Sequence, residues 1–427
     1  MYSVRFKPTN FAVQCFKNCR TYYTVKRKVV KDENYVARQI YQKIKVKGPM
    51  TVADYMREVL TNPMAGYYMH KDMFGETGDF ITSPEVTQMF GEMVAVWLLN
   101  EWQKMGSPKP LQIVELGPGR GTLSYDIVKV FSHFKALHKA SLQLVEISPV
   151  LSELQARRLC DKHTIVNEKM VVYRKGSSPH DIPVQWFRQL SDVPNAFTLL
   201  IAHEFFDALP IHKFHKTYSG YKEVLIDIDP AAEKNPENTE PKFRYVLSRN
   251  ETPMLKSLLK PNETRDHFEA SPDCMLIYKQ ICERLKATGG LALICDYGHY
   301  GTGTDTFRAF KKHKQVDPLV MPGTADLTAD VDFKTIREVA NKVEGIITMG
   351  PANQRDFLLK TGLEYRFKAL KEQVKDKKHL ENLTECYKIL TDKDKMGERF
   401  KFCALFPETM RKILDKCPVV GFNQFIP

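Results

Sequence analysis

The chain has no uninterrupted apolar run near the roughly 18 residues of a membrane-spanning helix. Its longest runs, such as "FTLLIA" and "LALIC", have the length of a strand. It also has no CxxC pair: the nine cysteines stand at 15, 19, 160, 274, 282, 295, 386, 403 and 417. Scattered, odd-numbered cysteines argue against a zinc ribbon or a disulfide scaffold and for a reducing compartment. No internal repeat with a period of roughly 20–50 residues is present, which removes solenoids and propellers. Acidic residues are missing from residues 1–31, which nevertheless hold eight Lys or Arg.

That last absence relocates the net charge. The whole chain carries +12, but beyond residue 31 there are 55 basic against 51 acidic residues. A near-neutral body lacks the electrostatic footprint of a nucleic-acid-binding face. The N-terminal stretch, basic, acid-free and interleaved with hydroxyl and aromatic residues, reads as a mitochondrial transit peptide over 1–31. Its alternative is a basic arm. The remaining composition, 43% apolar and 27% charged, is that of a protein with a sizeable core and no stable membrane insertion.

From residue 36 the pattern is helical and amphipathic. In "MTVADYMREVLTNP", Thr51 is placed to cap a helix with Asp54 three residues on, and Pro63 closes it. "GDFITSPEVTQMFGEMVAVWLLNEWQKMG" reads as a loop entering a long helix at Ser83 and Pro84. Met89, Phe90, Met93, Val94, Trp97 and Leu98 lie at helical spacing. From 111 onward strands and helices alternate: "LQIVEL", a helix over 121–134, "LQLVEI", a helix from Pro149, then "MVVYR", "AFTLLIAHEF", a helix in "IYKQICERLKA", and "LALICDYG". Such alternation implies right-handed crossovers and a parallel, doubly wound α/β sheet. The expected organisation is an N-terminal helical or lid region over 36–110, a core over 111–210 and 271–427, and an antiparallel β insertion over 211–270. "FKFCALF" supplies a last strand.

The chemistry concentrates in "IVELGPGRGTLSYDIV", residues 113–128. Gly117, Gly119 and Gly121 alternate with Pro118 and Arg120 between strand and helix. The spacing is not the G-x-G-x-x-G of a dinucleotide fold, and no Gly-Lys-Ser/Thr follows, which excludes a Walker loop. Glu115 closes the strand just before the turn; it would repel a pyrophosphate but suits an ammonium or sulfonium. Glu146, at the end of the next strand, can accept both hydroxyls of a ribose. Acid, glycine turn and second acid together describe S-adenosyl-L-methionine (SAM) better than NAD.

With these residues the chain resembles a Rossmann-like, seven-strand SAM-dependent methyltransferase, and more closely the MidA-type family in its animal mitochondrial form. The resemblance rests on "MTVADYM", "GYYM", "GDFITSPEVTQMFGE", "VELGPGRGTL", "AHEFFDALPIHKF", "DYGHYGTGTDTFRAF", "PGTADLTADVDF" and "KMGERFKF", in that order. It implies SAM at Gly117, Gly119 and Gly121 with Glu115 and Glu146 as polar partners. It also implies mono- and symmetric dimethylation of an arginine on a core matrix-arm subunit of NADH:ubiquinone oxidoreductase (complex I), early in its assembly. Bacterial members tend to carry Asn where this chain has His203.

A guanidinium is a poor nucleophile, and a pair of carboxylates that grips it and polarises one nitrogen is a catalyst suited to methyl transfer. Glu204 and Asp207 in "AHEFFDALP", after the fourth strand, are the candidates. Either could instead cap a turn or pair with Arg120 or Lys213. His203 is a candidate proton acceptor or a hydrogen-bonded buried histidine. Tyr297 is expected to line the pocket and Asp296 to be structural. Asp326, Asp330 and Asp332 read as turn and capping residues, not a metal site. Thr82 or Ser83 could touch the methionine end of SAM, and Arg120 is expected beside a carboxylate of "EFFD". The rival functional readings are a SAM-binding assembly chaperone without essential methyl transfer and an organellar RNA methyltransferase. The second is disfavoured by the lack of an aromatic, basic platform.

Overall fold

In the computed structural model, residues 32–70, 73, 82–167, 169–233 and 241–422 are described. The expected transit peptide over 1–31, and residues 71, 72 and 74–81, lie outside them.

The centre is a ten-stranded mixed sheet. Five strands run parallel, in the order Gly290–His299, Thr198–His203, Leu111–Leu116, Ala140–Val145 and Pro183–Phe187. Phe400–Pro407 lies antiparallel against Gly290–His299, and Ile346–Asn353 antiparallel against it in turn. At the opposite edge Arg174–Ser177 and Lys162–Ile165 continue the sheet in antiparallel fashion. The short strand Val331–Asp332 pairs alongside Gly298 and His299. This is a Rossmann-like α/β fold.

Strand residues alternate between two buried layers, as the period of two requires. Leu111 and Ile113 join one apolar cluster with the helices Gln88–Lys104 and Thr122–His133, whereas Val114 and Leu116 join another with Pro272–Thr288 and Phe333–Val343. Burying both faces explains why the central strands read as continuous apolar runs.

Local signals behave as their chemistry requires. The Asp54 N–H donates to Thr51 Oγ1 at 3.0 Å, capping Val52–Thr61. Ser148 caps Pro149–Leu159 through the Leu151 N–H. One strand differs from expectation. "MVVYR" is not a sheet strand except at Arg174; the third parallel strand is Pro183–Phe187. Val171 is exposed, and Tyr173 is buried because its hydroxyl reaches the Glu146 carbonyl at 2.8 Å. The long helix also begins later: Ser83–Val86 is a separate turn, broken from Gln88–Lys104 by extended Thr87.

Residues 212–270 form antiparallel strands, His212–Thr217, Gly220–Ile228, Phe243–Leu247 and His267–Ala270, joined by Met50–Thr51 from the N-terminal helices. Arg308–Lys311, Lys314–Val316 and Asp326–Thr328 make a small third sheet. It is tied to the centre by the Ala329 N–H, which donates to the Asp207 carbonyl. Among the described residues no helix is long and apolar enough to cross a membrane.

Candidate active site

The strand order reverses at Leu111–Leu116: the chain goes next to the Ala140 strand on one side and later to the Thr198 strand on the other. Loops leaving the carboxyl ends at such a point splay apart and leave a crevice. Three loops meet there: the glycine turn after Leu116, the residues after Val145, and "EFFDALP" after His203. They line a cleft of about 470 Å³ that also takes in Tyr68, Tyr297, Arg308, Asp326, Lys395, Arg399 and Phe400.

The glycine turn is dictated by backbone geometry. Gly117, Gly119 and Gly121 all have positive φ, at 60°, 55° and 78°. A Cβ on Gly117 would sit 2.7 Å from the Phe205 ring, so this glycine also lets the neighbouring loop close in. Gly121 serves as the N-cap of Thr122–His133.

Two acids flank the turn, both buried. Glu115 accepts a hydrogen bond from the Ser124 hydroxyl, and Glu146 accepts the Ser148 N–H at 2.7 Å. Burial pushes each carboxyl up to about 7, against the lowering effect of these hydrogen bonds. Gln155 joins the two loops: its amide donates to the Gly119 carbonyl at 2.8 Å and to Glu146 Oε2 at 2.9 Å, and its oxygen accepts from Trp186 at 2.9 Å. Nothing in the sequence marked Gln155. It occupies an ordinary position on the buried face of Pro149–Leu159.

The glycine turn has a second pocket beneath it, lined by Thr82, Pro84, Glu85, Glu115, Gly117, Pro118, Gly119, Arg120, His203 and Glu204 among others. Arg120 pairs here with Glu85 at 3.5 Å, not with a carboxylate of "EFFD". The correction follows from topology, because Ser83–Val86 packs over the turn and brings Glu85 to it. Ser83 lies below, donating its N–H to Glu204 Oε1 at 3.2 Å and its hydroxyl to Gln354 at 3.3 Å.

The "EFFD" loop is held by Asp296. This fully buried carboxylate accepts the N–H groups of Phe205 (3.2 Å) and Phe206 (3.0 Å) through Oδ2, and that of Tyr297 (3.0 Å) through Oδ1. That support lets Glu204 adopt φ of 48°, unusual for a residue with a side chain. Both Glu204 and Asp207 line the cleft. Burial raises Glu204 well above the ordinary carboxylate range, helped by the nearby Asp207 charge. Asp207 is raised to about 6 by burial, offset by the hydrogen bond from Tyr297 and by Arg308. One oxygen of Asp207 takes the Tyr297 hydroxyl; the other, Oδ1, is buried with no hydrogen-bond partner among the described residues. Lys213 does not serve either acid, since it pairs with Asp305 and, at 3.7 Å, with Glu269.

His203 does not fit the role of proton acceptor. Its ring is buried edge-on to Phe90 at 5.0 Å, and burial pushes its pKa down to about 3. The imidazole stays neutral and is a weak base. Its Nε2 lies 3.4 Å from Glu204 Oε1 but in poor hydrogen-bond geometry.

The aspartates of "TADLTADVDF" separate. Asp326 reaches the cleft and accepts the Tyr68 hydroxyl at 2.6 Å, Asp330 pairs with Arg308 at 2.5 Å, and Asp332 caps Phe333–Val343. His212 is satisfied by Glu223 at 2.6 Å. No group of His, Cys, Asp and Glu among the described residues could hold a metal.

The arrangement fits a cationic, ribose-bearing ligand at the glycine turn. Close-approach backbone, a buried acid beneath it and a second acid across the crevice are the donor set such a ligand needs. Comparisons agree. A family model described as an S-adenosyl-L-methionine-dependent methyltransferase matches residues 93–352. The chain is 49% identical over 395 residues to the mitochondrial protein arginine methyltransferase NDUFAF7 homolog of Drosophila melanogaster, covering 91% of this chain and 88% of that protein. It is 46% identical over 375 residues to the protein arginine methyltransferase NDUFAF7, mitochondrial, of Homo sapiens, covering 87% and 83%. The fold is similar to that of a Burkholderia thailandensis protein crystallised with S-adenosyl-homocysteine, with a TM-score of 0.70 at 21% identity, covering 88% and 92%.

Proposed function

The chain belongs to the S-adenosyl-L-methionine-dependent methyltransferases of MidA type, and on that premise we propose that it transfers methyl groups to arginine side chains of a protein in the mitochondrial matrix. The observation that carries the arginine is the pair Glu204 and Asp207 in one cleft with the glycine turn, with Asp207 Oδ1 buried and without a partner among the described residues. A buried carboxylate oxygen with an open lone pair is costly unless a donor arrives. A guanidinium brings five N–H donors in a fixed fork.

Bound SAM supplies an electrophilic methyl group. Gly117, Pro118, Gly119 and Gly121 shape the turn that accepts its amino-acid end. Glu115 faces the ammonium, Glu146 takes the ribose hydroxyls, and Ser83 closes the region beneath Glu204. Exposed Ile147, beside Glu146 on the cleft wall, offers an apolar surface for the adenine. Glu204 and Asp207 grip the guanidinium, draw its charge away from the reacting nitrogen, and take up the proton that nitrogen sheds. The pKa of Asp207, raised by burial to about 6, suits that last task.

The relatives' names support mitochondrial location, as does the basic, acid-free stretch at residues 1–31. The product we propose is symmetric dimethylarginine on a core matrix-arm subunit of complex I, needed early in its assembly. The test is mass spectrometry of matrix complex I subunits in cells carrying wild type or Gly119→Val, together with SAM binding by both purified proteins. Val at φ of 55° is strained, and it puts a β-branched side chain where the backbone is proposed to approach the cofactor. Loss of symmetric dimethylarginine with loss of SAM binding is expected. Dimethylation that persists while assembly fails would favour a chaperone, and unchanged SAM affinity would displace the cofactor from this turn.

A further inference from the structure

The cleft has a basic wall as well as an acidic floor. Arg308, Lys395 and Arg399 line it together with Glu204, Asp207 and Asp326. Two of the three cations are neutralised within the protein: Arg308 by Asp330 at 2.5 Å and Lys395 by Glu385 at 2.5 Å. Arg399 is different. It is exposed, stands over the Tyr297 ring at 5.5 Å, and has no carboxylate within ion-pair distance among the described residues. Asp394, on the same wall, does not reach it. The backbone beside it is irregular, with a π-helical turn over Lys393–Gly397 in which Lys395 leaves helical geometry. Such turns re-aim the side chains around them.

Tyr297 links this cation to the floor. One face of its ring carries Arg399, Arg308 lies 5.1 Å from the ring centroid, and its hydroxyl bonds Asp207. A guanidinium held at Glu204 and Asp207 is therefore one tyrosine ring away from an unneutralised guanidinium of the enzyme. Two like charges so placed repel unless an anion sits between them or beside them.

We propose that Arg399 is a specificity-determining residue that receives an acidic side chain of the substrate lying within about three residues of the target arginine. Extended chain advances roughly 3.3–3.6 Å per residue, which matches a separation of one aromatic ring plus its contacts. An Arg–carboxylate pair can form two parallel hydrogen bonds, so the contact selects geometry as well as charge. The proposal rests on the arginine reading of the cleft, and its test separates the two.

The probes are synthetic peptides with one central arginine and Glu, Gln or Lys two residues before or after it. Two quantities are read: kcat/KM at saturating SAM, and equilibrium binding to the protein loaded with S-adenosyl-homocysteine. Wild type is expected to favour the Glu peptides over the Gln peptides by about three- to tenfold in both, with the preference shrinking as salt is raised. Arg399→Ala should abolish the preference, Arg399→Lys should retain part of it, and Arg399→Glu should turn it toward Lys. S-adenosyl-homocysteine affinity should stay the same in all three, which excludes misfolding. A wild-type protein indifferent to the flanking charge, or a preference that survives Arg399→Ala, overturns the proposal. If no peptide is methylated although binding shows the Glu preference, the arginine-transfer reading fails and the assignment of Arg399 stands.

Discussion

The Tyr297 hydroxyl donates to one oxygen of the Asp207 carboxylate, while the other is buried without a hydrogen-bond partner among the described residues. The two residues come from the ends of neighbouring parallel strands, 90 positions apart. Their bond orients Asp207 and lowers its pKa against the burial that raises it. Replacing Tyr297 with Phe removes both effects. kcat/KM for an arginine peptide is expected to drop about tenfold, with SAM affinity preserved. The pH at half-maximal activity should move upward, because Asp207 then ionises later. A pH–rate profile of both proteins checks this, and an unmoved profile would deny Asp207 a part in the reaction.

Cofactor binding should depend on pH through Glu115 and Glu146. Both carboxyls titrate at about 7 in the folded chain, raised by burial. Below pH 6 both are neutral, so that Glu115 offers no charge to an ammonium and Glu146 is a weaker acceptor for ribose hydroxyls, whereas above pH 8 both are ionised. SAM affinity should therefore rise across pH 6–8, with protons released on binding below pH 8. Calorimetry in buffers of different ionisation enthalpy measures that release directly.

Gly117→Ala probes the meeting of two loops. The new methyl would stand 2.7 Å from Phe205 at a φ of 60°. A loss of about 1–3 kcal/mol in stability is expected, from left-handed backbone strain plus displacement of the ring. Denaturant unfolding gives the first number. Because Phe205 lies next to Glu204, turnover should fall further than stability alone requires.

Asp126 carries a cost that function does not explain. Its carboxylate is buried in Thr122–His133, its Oδ2 has no hydrogen-bond partner among the described residues, and burial together with Glu92 pushes its pKa up to about 8. Glu92 is itself engaged by Arg366 at 2.6 and 2.9 Å. In the folded state Asp126 thus holds a proton that the unfolded chain releases near pH 4. Its contribution to stability declines as pH rises from about 4 to about 8. Asp126→Asn removes that titration, so the variant should gain roughly 1–3 kcal/mol over wild type at pH 8 and little at pH 5. Thermal unfolding at the two pH values decides it.

The sequence by itself determined the α/β class, the glycine turn and the two acids beside it. Each is a local requirement: buried parallel strands must be continuously apolar, a tight strand-to-helix turn must accept positive φ, and an acid at a strand end is visible as such. It also placed Glu204, Asp207 and Tyr297 near strand ends, where clefts of this fold open. It missed Pro183–Phe187, because a five-residue strand beginning with proline has little pattern of its own; burial of Val184, Trp186 and Phe187 against its neighbours makes it a strand. Only the tertiary structure joined Gln155 to Gly119, gave Arg120 to Glu85, and set Arg399 beside Tyr297 with no carboxylate partner among the described residues. These relationships are between side chains distant in the chain. Which acid meets which base depends on how helices and inserted sheets pack over the strand ends, and nearest-neighbour patterns in the sequence carry no record of that.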